Sequence, residues 1–315
     1  MEKNASVGKR PTGSILQLKK GMVNNMDLLK AIFLGFIQGV TEFLPVSSSG
    51  HLAIMKNILH MDLETGLLFD VLLHLGTLAA IFIAFWQDIK ELIIEGFGII
   101  ADFFVNIGIF FLNLAGKKLA YRKIISTPYR RFVMLVIVST IPTGIIGIVF
   151  ADAITLVGET LLVPGLCLIL TSILLAIANR VKTGSKRAED TGFAEAGLIG
   201  LAQGIATLPG LSRSGTTITA CLLSGFDREF AVKYSFIMSI PAVLGAAVFE
   251  IKDIGFGALS SSELINYLIG TVIAGVVGYI CIKTMLKIVK GKSFRIFTYY
   301  CLTIGIIAVI GYFVL

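Results

Sequence analysis

Long apolar segments separated by short polar loops occupy most of the chain from residue 28 onward. They lie at 28–44, 50–60, 67–86, 92–115, 131–151, 161–179, 195–209, 216–225, 235–251, 264–285 and 296–315. An α-helix needs about 20 consecutive apolar residues to cross the hydrocarbon core of a bilayer. Several segments reach that length, so the pattern predicts an all-α polytopic membrane protein.

About six of these segments are predicted to be full transmembrane helices. They are 67–86, 131–151, 161–179, 235–251, 264–285 and 296–315. Segment 92–115 is apolar too, but it carries Glu95, Asp102, Asn106 and Asn113. Because a charged side chain at the bilayer centre costs about 2.5–3.5 kcal/mol on insertion scales, we expect an interfacial or tilted helix there.

Two segments, 50–60 and 216–225, are too short to cross. Each follows another apolar segment after a break that is rich in Pro, Ser and Gly. This arrangement predicts two re-entrant helix hairpins, which enter the membrane and return on the same side. Irregular backbone at that depth is tolerated only where it is buried in protein or lines a wet cavity.

The two predicted hairpins belong to an internal repeat. Residues 31–50 match residues 196–215 without gaps at an offset of 165 positions, and seven of the twenty positions are identical. We interpret 28–115 and 195–285 as the two copies. Three predicted crossings lie between the copies, so the second copy is expected to be inverted, with the two broken segments meeting in the middle. Repeats with broken helices indicate a binding site near the bilayer midplane.

Composition places the chain firmly in lipid. Hydrophobic residues make up 56% of it and charged residues 15%, against about 45–50% and 25% in soluble domains. We expect a single membrane-embedded domain at 27–315 after a polar, basic extension at 1–26. The net charge is +7, and basic residues are concentrated in short loops between apolar segments, at 116–131, 180–190 and 286–295. Because cytoplasmic loops are rich in Lys and Arg, orientation explains this charge better than nucleic-acid binding does.

The first broken segment, QGVTEFLPVSSSGH at 38–51, carries an acid within apolar sequence. Gln38 and Glu42 are four residues apart and share a helix face. An intramembrane acid is energetically costly, so Glu42 is expected to face a protein-lined cavity and to have a partner. The alternative is a structural carboxylate that caps a neighbouring backbone.

The residues that follow can bind an anion or supply a reactive group. Ser47, Ser48, Ser49 and Gly50 precede a short helix, whose first backbone N–H groups are free to bind an anion, although they also suit plain capping. His51 can serve as a base, an acid or a nucleophile. Weaker candidates are His60, which ends an apolar half-helix, and His74, which lies within a predicted span.

The second broken segment reads PGLSRSGTT at 209–217. Arg213 stands where the first copy has Ser48, and its guanidinium can hold a phosphate through two hydrogen bonds. An unpaired Arg at that depth is costly, so its expected partner is an anionic ligand or Glu42. The other polar positions of this loop are Ser212, Ser214, Gly215, Thr216 and Thr217. Together, the two loops suit a phosphate or diphosphate whose carrier lies in lipid.

These motifs resemble the undecaprenyl-diphosphate phosphatases of the bacitracin-resistance protein type. The family motif (E/Q)-x-x-x-E corresponds to Gln38–Glu42, and P-G-x-S-R-S-x-x-T corresponds to Pro209–Thr217. The resemblance covers nearly the whole chain from about residue 27. It implies hydrolysis of undecaprenyl diphosphate to undecaprenyl phosphate and inorganic phosphate, with a divalent cation, at the outer face of the bacterial inner membrane. This activity recycles the lipid carrier for cell-wall synthesis and confers bacitracin resistance.

The resulting hypothesis assigns the site residues to roles. Arg213 and the hydroxyls of 212–217 hold the phosphates, while Glu42 and Gln38 position Mg²⁺ or Ca²⁺, which prefer oxygen ligands. Ser48 attacks phosphorus with His51 as its base, or His51 is itself the nucleophile. The competing function is a polyprenyl-phosphate transporter or flippase that uses the same inverted-repeat site. The assembly state is not set by the sequence, and a homodimer is one candidate.

Overall fold

The predicted all-α class is confirmed. A computed structural model describes residues 27–58, 63–158, 160–251, 261–291 and 293–314, and within these ranges the regular secondary structure is helical. The helices are α1 (Leu28–Phe43), α2 (Ser48–Ile58), α3 (Leu63–Ala84), α4 (Trp86–Leu114), α5 (Pro128–Val149), α6 (Ala151–Gly158), α7 (Leu162–Arg180), α8 (Phe193–Ile205), α9 (Arg213–Leu223), α10 (Arg228–Ile251), α11 (Ser261–Lys290) and α12 (Arg295–Val314). The extension at 1–26 and His60 lie outside the described residues.

Six helices in the described part of the chain are long and apolar enough to cross a membrane, so this is a multi-pass membrane protein. They are α4, α5, α7, α10, α11 and α12. The predicted number is therefore confirmed, but one member of the set differs. The apolar part of α3, Leu68–Ala84, is too short by this measure, whereas α4 extends to 29 residues.

Helix α4 nevertheless lies across the end of α5 rather than alongside it. Asp88 accepts a hydrogen bond from the Tyr129 hydroxyl at 3.1 Å, and both Glu95 and Asp102 accept from the Arg130 guanidinium. Residues 88 to 102 extend about 21 Å along a helix, yet all three acids reach the first turn of α5. The two helices therefore cross steeply, and the interfacial or tilted helix expected at 92–115 stays a prediction.

The two half-helices α1 and α8 pack closely on long helices. A Cβ atom on Gly35 of α1 would overlap the carbonyl oxygen of Gly270 in α11, and one on Gly200 of α8 would overlap that of Ser139 in α5. Gly35 and Gly200 are equivalent positions of the repeat. In both copies glycine therefore lets a half-helix approach the backbone of its neighbour.

The half-helices enter the bundle from opposite ends. Later residues of α1 contact later residues of α11, and later residues of α8 contact later residues of α5. Each half-helix therefore runs parallel to its partner. The start of α10 lies beside the end of α11 through Lys290 and Glu229, and beside the start of α4 through Lys233 and Asp88. Since Asp88 also meets Tyr129, α5 begins where α11 ends. The course of these helices relative to a membrane stays a prediction.

Lys186 holds together the two ends of the α8–α9 pair. Its backbone N–H donates to Gly225 O at 3.1 Å and its carbonyl accepts from Asp227 N at 3.0 Å, just after α9. Its ammonium donates to Glu195 in the first turn of α8 at 2.5 Å, and this hydrogen bond keeps the pKa of Glu195 below its ordinary value. The start of α8 and the end of α9 therefore lie at the same end of the bundle.

The glycine contacts give a prediction of opposite sign at two positions of one helix. We expect Gly200→Ala to lower the free energy of unfolding by about 1–3 kcal/mol, because overpacking forces α8 away from α5. Gly197 has nothing within 4 Å of a built Cβ, so Gly197→Ala should be neutral or stabilising by up to about 1 kcal/mol. Thermal unfolding of the two variants in detergent measures the difference, and equal melting temperatures would contradict this packing.

Candidate active site

The two broken loops touch each other inside the bundle. The Ser49 hydroxyl accepts a hydrogen bond from Gly210 N at 3.4 Å, and the Ser214 hydroxyl donates to Leu44 O at 3.4 Å. A Cβ atom on Gly50 would lie 3.0 Å from the Cα atom of Gly210. The loops therefore meet, as the repeat predicted, and leave no room for side chains at their closest approach.

Both loops use the same local hydrogen bonds to start a helix. The Ser47 hydroxyl accepts from Gly50 N at 3.3 Å, and the Ser212 hydroxyl accepts from Gly215 N at 3.1 Å. In each copy the hydroxyl oxygens of the capping serine and of the serine two residues later are also 3.3 Å apart. Ser47 and Ser212 thus act as helix caps, the structural role that the sequence left open.

A strained turn presents Ser48. Ser47 has a φ of 71°, the only positive value at a non-glycine position among the described residues. Such a conformation costs about 1–3 kcal/mol and persists only where the surroundings enforce it. The ring of His51 does so by donating from Nδ1 to Ser47 O at 2.7 Å. The turn directs the next side chain, Ser48, toward the carboxylate of Glu42.

Glu42 is the centre of the site and is buried. Its Oε2 atom accepts from the Ser48 hydroxyl at 2.6 Å and from Gln38 Nε2 at 3.0 Å. Its Oε1 atom pairs with the Arg213 guanidinium, which comes from the other copy of the repeat. His74 Nε2 lies 3.9 Å from Oε2, so His74 does face the site. The predicted pairing of Glu42 with Arg213 is present.

His51 is oriented away from Ser48. Because a carbonyl only accepts, Nδ1 of His51 carries a proton, and in the neutral ring Nε2 accepts from the Tyr300 hydroxyl at 2.7 Å. The two rings also stack, with centroids 5.5 Å apart. The hydrogen bond expected between Ser48 and His51 is absent from the bonds of the described residues, and Ser48 donates to Glu42 instead.

Tyr300 is a site residue that sequence reasoning missed. It lies 249 positions from His51, in the last helix, and no local motif marks it. Ser235 and Thr171 were missed for the same reason. The Ser235 hydroxyl lies 2.5 Å from that of Thr217, and the Thr171 hydroxyl accepts from Ser212 N at 3.0 Å. Polar residues on neighbouring spans are the only signal that could have indicated them.

Two buried polar atoms at the site have no protein partner. They are Oε1 of Gln38 and Oγ1 of Thr216. An unsatisfied buried acceptor or hydroxyl costs about 1–3 kcal/mol, which favours a ligand or water there. A small cavity at the site is lined by Glu42, Arg213 and Ser235, with Phe43, Ser214, Phe236 and Ser239 completing its wall.

The donor set is compatible with a divalent cation of the magnesium type. The described residues contain no cluster of three or more His, Cys, Asp or Glu side chains that could hold a metal ion. Mg²⁺, however, is usually held by one or two carboxylates together with water and substrate phosphates. Glu42 and the unpartnered Oε1 atom of Gln38 fit that limited role.

Comparison with known proteins gives a consistent result. The family model of bacitracin resistance protein BacA matches residues 31–307. An undecaprenyl-diphosphatase of Methanosphaera stadtmanae is 45% identical over 286 residues, which is 90% of this chain and 98% of that protein. Undecaprenyl-diphosphatases of Methanobrevibacter smithii and Alkaliphilus metalliredigens are 42% and 40% identical; they align with 91% and 90% of this chain and each over 98% of its own length.

The shared carboxylate predicts a coupled pair of substitutions. Arg213→Gln leaves the buried Glu42 without a cation, and we expect a loss of about 3 kcal/mol, the lower end of the range for buried pairs because 26% of the Arg213 side chain is exposed. Adding Glu42→Gln removes the uncompensated charge and should recover part of that loss. Thermal unfolding of the single and double variants tests the coupling. Purely additive effects would show that the two side chains do not pair.

Proposed function

The chain belongs to the bacitracin resistance protein BacA family, and we propose that it is an integral-membrane undecaprenyl-diphosphatase. It hydrolyses undecaprenyl diphosphate to undecaprenyl phosphate and inorganic phosphate, which recycles the lipid carrier for cell-wall synthesis and confers resistance to bacitracin. The observation that carries the proposal is a buried carboxylate, Glu42, that joins a serine hydroxyl to an arginine from the opposite half of the molecule.

The diphosphate binds between the two loops. The helix starts of α2 and α9 present backbone N–H groups that favour an anion. Arg213 carries five N–H donors, enough to bond Glu42 and a phosphate at the same time. The unpartnered hydroxyl of Thr216 adds a further donor. Fixed donors of this kind stabilise the charge that shifts during phosphoryl transfer.

Ser48 is the nucleophile that the geometry favours. Its hydroxyl oxygen attacks the terminal phosphorus while its proton passes to Glu42 Oε2, 2.6 Å away. The bond from phosphorus to the bridging oxygen breaks, and undecaprenyl phosphate leaves with the proton from Glu42. The regenerated carboxylate then takes a proton from water as the water oxygen attacks phosphorus. The bond from phosphorus to the Ser48 oxygen breaks, Glu42 returns the proton to that oxygen, and inorganic phosphate leaves.

His51 acts by positioning rather than by attack. The His51 ring is closed to the substrate, since the residue is only 5% exposed and its Nε2 atom accepts from Tyr300. Through Nδ1 it holds the left-handed turn at Ser47 that places Ser48 against Glu42. This arrangement supports Ser48 over His51 as the group that bonds to phosphorus.

A divalent cation, Mg²⁺ or Ca²⁺, would be held by Glu42 and Gln38 and would neutralise charge on the diphosphate. We expect the site to open to the outer face of the bacterial inner membrane, as the resemblance implies. A homodimer is not required for this chemistry, because one chain supplies both halves of the site. Transport of a polyprenyl phosphate is the second candidate, favoured by half-helices that enter from opposite ends, a plan found in transporters.

Phosphate release in detergent tests the enzyme. We expect the purified protein to release inorganic phosphate from a prenyl diphosphate without any membrane, and to stop when a chelator is added. Ser48→Ala should lower the rate by at least about 10²–10⁴-fold, the contribution of a single proton-transfer or nucleophilic group. Enzyme quenched with denaturant at neutral pH, where both phosphoserine and phosphohistidine survive, should carry labelled phosphate on Ser48.

The exposed Ser185, in the loop after α7, provides the matched control, and Ser185→Ala should keep full activity. Label on His51 would reject the serine mechanism while leaving the enzyme intact. An absence of phosphate release, with transport by the same preparation in vesicles, would overturn the enzyme in favour of the transporter.

The contact with Tyr300 predicts a selective effect on turnover. Tyr300→Phe keeps the stacked ring but removes the O–H that fixes the His51 tautomer, and we expect kcat to fall about 10–100-fold, as for other partners of active-site histidines, with KM nearly unchanged. The neighbouring Tyr299 is exposed, so Tyr299→Phe serves as the control. A rise in KM at constant kcat would mean that Tyr300 contacts substrate instead.

A further inference from the structure

The chain after α4 folds back along that helix. Asn113 donates to Leu119 O at 2.9 Å and accepts from Leu119 N at 2.7 Å. About two helical turns closer to the bundle, Asn106 makes the same two bonds to Arg122, at 2.8 and 2.7 Å. Each side-chain amide thus bonds both the N–H and the C=O of one residue in the returning segment. We call residues 86–127, the helix with its returning segment, the α4 hairpin.

Acidic side chains hold the bundle end of the returning segment in the same way. Asp102 accepts from Arg122 at 2.9 Å and from Arg130 at 2.6 Å, while Glu95 accepts from the Thr127 hydroxyl at 3.0 Å. Positions 95, 102, 106 and 113 are spaced by seven, four and seven residues, so they form one narrow stripe along the helix. The returning segment covers that stripe.

The opposite side of the helix is rich in exposed phenylalanine. Phe97, Phe104 and Phe111 repeat every seven residues and are 69%, 64% and 62% exposed. Each lies two residues after, or two before, a member of the polar stripe, about 200° away around the helix. Apart from the stripe, α4 contributes almost nothing to the protein interior, because its apolar window is 0% buried.

The returning segment is basic on its outer side. Lys117, Lys118 and Lys123 are exposed, and the described residues show no ion pair to any of them. Arg122, in contrast, is paired with Asp102. The hairpin therefore has a phenylalanine face and, opposite it, an uncompensated cationic face. Amphipathic elements of this composition lie in the membrane interface.

We propose that the α4 hairpin lies in the plane of the leaflet at the start of α5 and binds anionic phospholipid headgroups through Lys117, Lys118 and Lys123. Phe97 and its two equivalents then enter the acyl region of that leaflet. The steep crossing of α4 over α5 supports this orientation. The basic ends of α7 and α11 lie at the same end of the bundle. The surface that the hairpin contacts is therefore the membrane leaflet that carries the anionic lipid. This inference does not depend on the phosphatase activity.

The orientation is tested by depth measurements. Spin labels at Phe97→Cys, Phe104→Cys and Phe111→Cys are compared by oxygen accessibility in nanodiscs of phosphatidylcholine and phosphatidylglycerol. The four native cysteines are buried, so the unmodified chain supplies the labelling background. We expect equal depths at the three positions. A helix that crosses the membrane would separate the outer two by about 21 Å, and such a gradient would overturn the proposal.

The choice of lipid is tested with a fluorescent label at Tyr121→Cys, on the exposed returning segment. Quenching by nitroxide-labelled phosphatidylglycerol should exceed quenching by the phosphatidylcholine analogue about fivefold or more, because each lysine near an anionic surface enriches anionic lipid by about that factor. The preference should disappear in the variant K117Q/K118Q/K123Q.

A matched triple variant controls for the loss of net charge. Lys182, Lys283 and Lys287 are exposed at the same end of the bundle but belong to other helices and loops, and K182Q/K283Q/K287Q should keep the lipid preference. If the hairpin variant keeps it as well, or if the label shows equal quenching by both lipids in the unmodified chain, anionic headgroups are not the partner of this face.

Discussion

The carboxylate of Glu42 is the group on which the rest of the site depends. A buried charge in a membrane protein must be compensated, and the compensation here comes from Arg213, 171 positions away. That ion pair draws together two loops which the chain otherwise keeps apart. The same carboxylate accepts from Ser48, so the interaction that stabilises the contact between the two halves also prepares a nucleophile.

The pair can form only because the backbones come unusually close. Gly35 and Gly200 let α1 and α8 lie directly against the carbonyl groups of α11 and α5. Gly50 and Gly210 then allow the two loops to touch. With side chains at these positions, Glu42 and Arg213 would be held too far apart to pair. Close packing of small residues is therefore a condition of the chemistry as well as of the fold.

The α4 hairpin meets the same constraint by a different route. Its returning segment is not helical, so its N–H and C=O groups lack the partners that a helix would supply. Asn106 and Asn113 bond those groups instead, and Asp102 and Glu95 neutralise the arginines at the base. Polar residues that are costly inside a span are thus used to hold an irregular segment against a helix at the edge of the bundle.

Much of this architecture could be predicted from sequence because it rests on local or repeated patterns. Apolar segment length indicated the all-α class and the number of helices long enough to span, and the offset repeat indicated that the two loops would meet. The cost of a buried charge led from Glu42 to Arg213. The sequence also marked α4 as unusual through its acids and asparagines, although it did not show what they bind.

Other features were decided only by the tertiary structure. The direction in which His51 faces depends on Tyr300, and the partner of Ser48 turned out to be Glu42, because a strained turn at Ser47 reorients the side chains that follow. The sequence predicted a full span at 67–86, whereas the longer apolar helix is α4, because α3 ends at Ala84. Periodicity and insertion cost are properties of single segments, whereas hydrogen-bond partners between distant helices are set by how those helices pack.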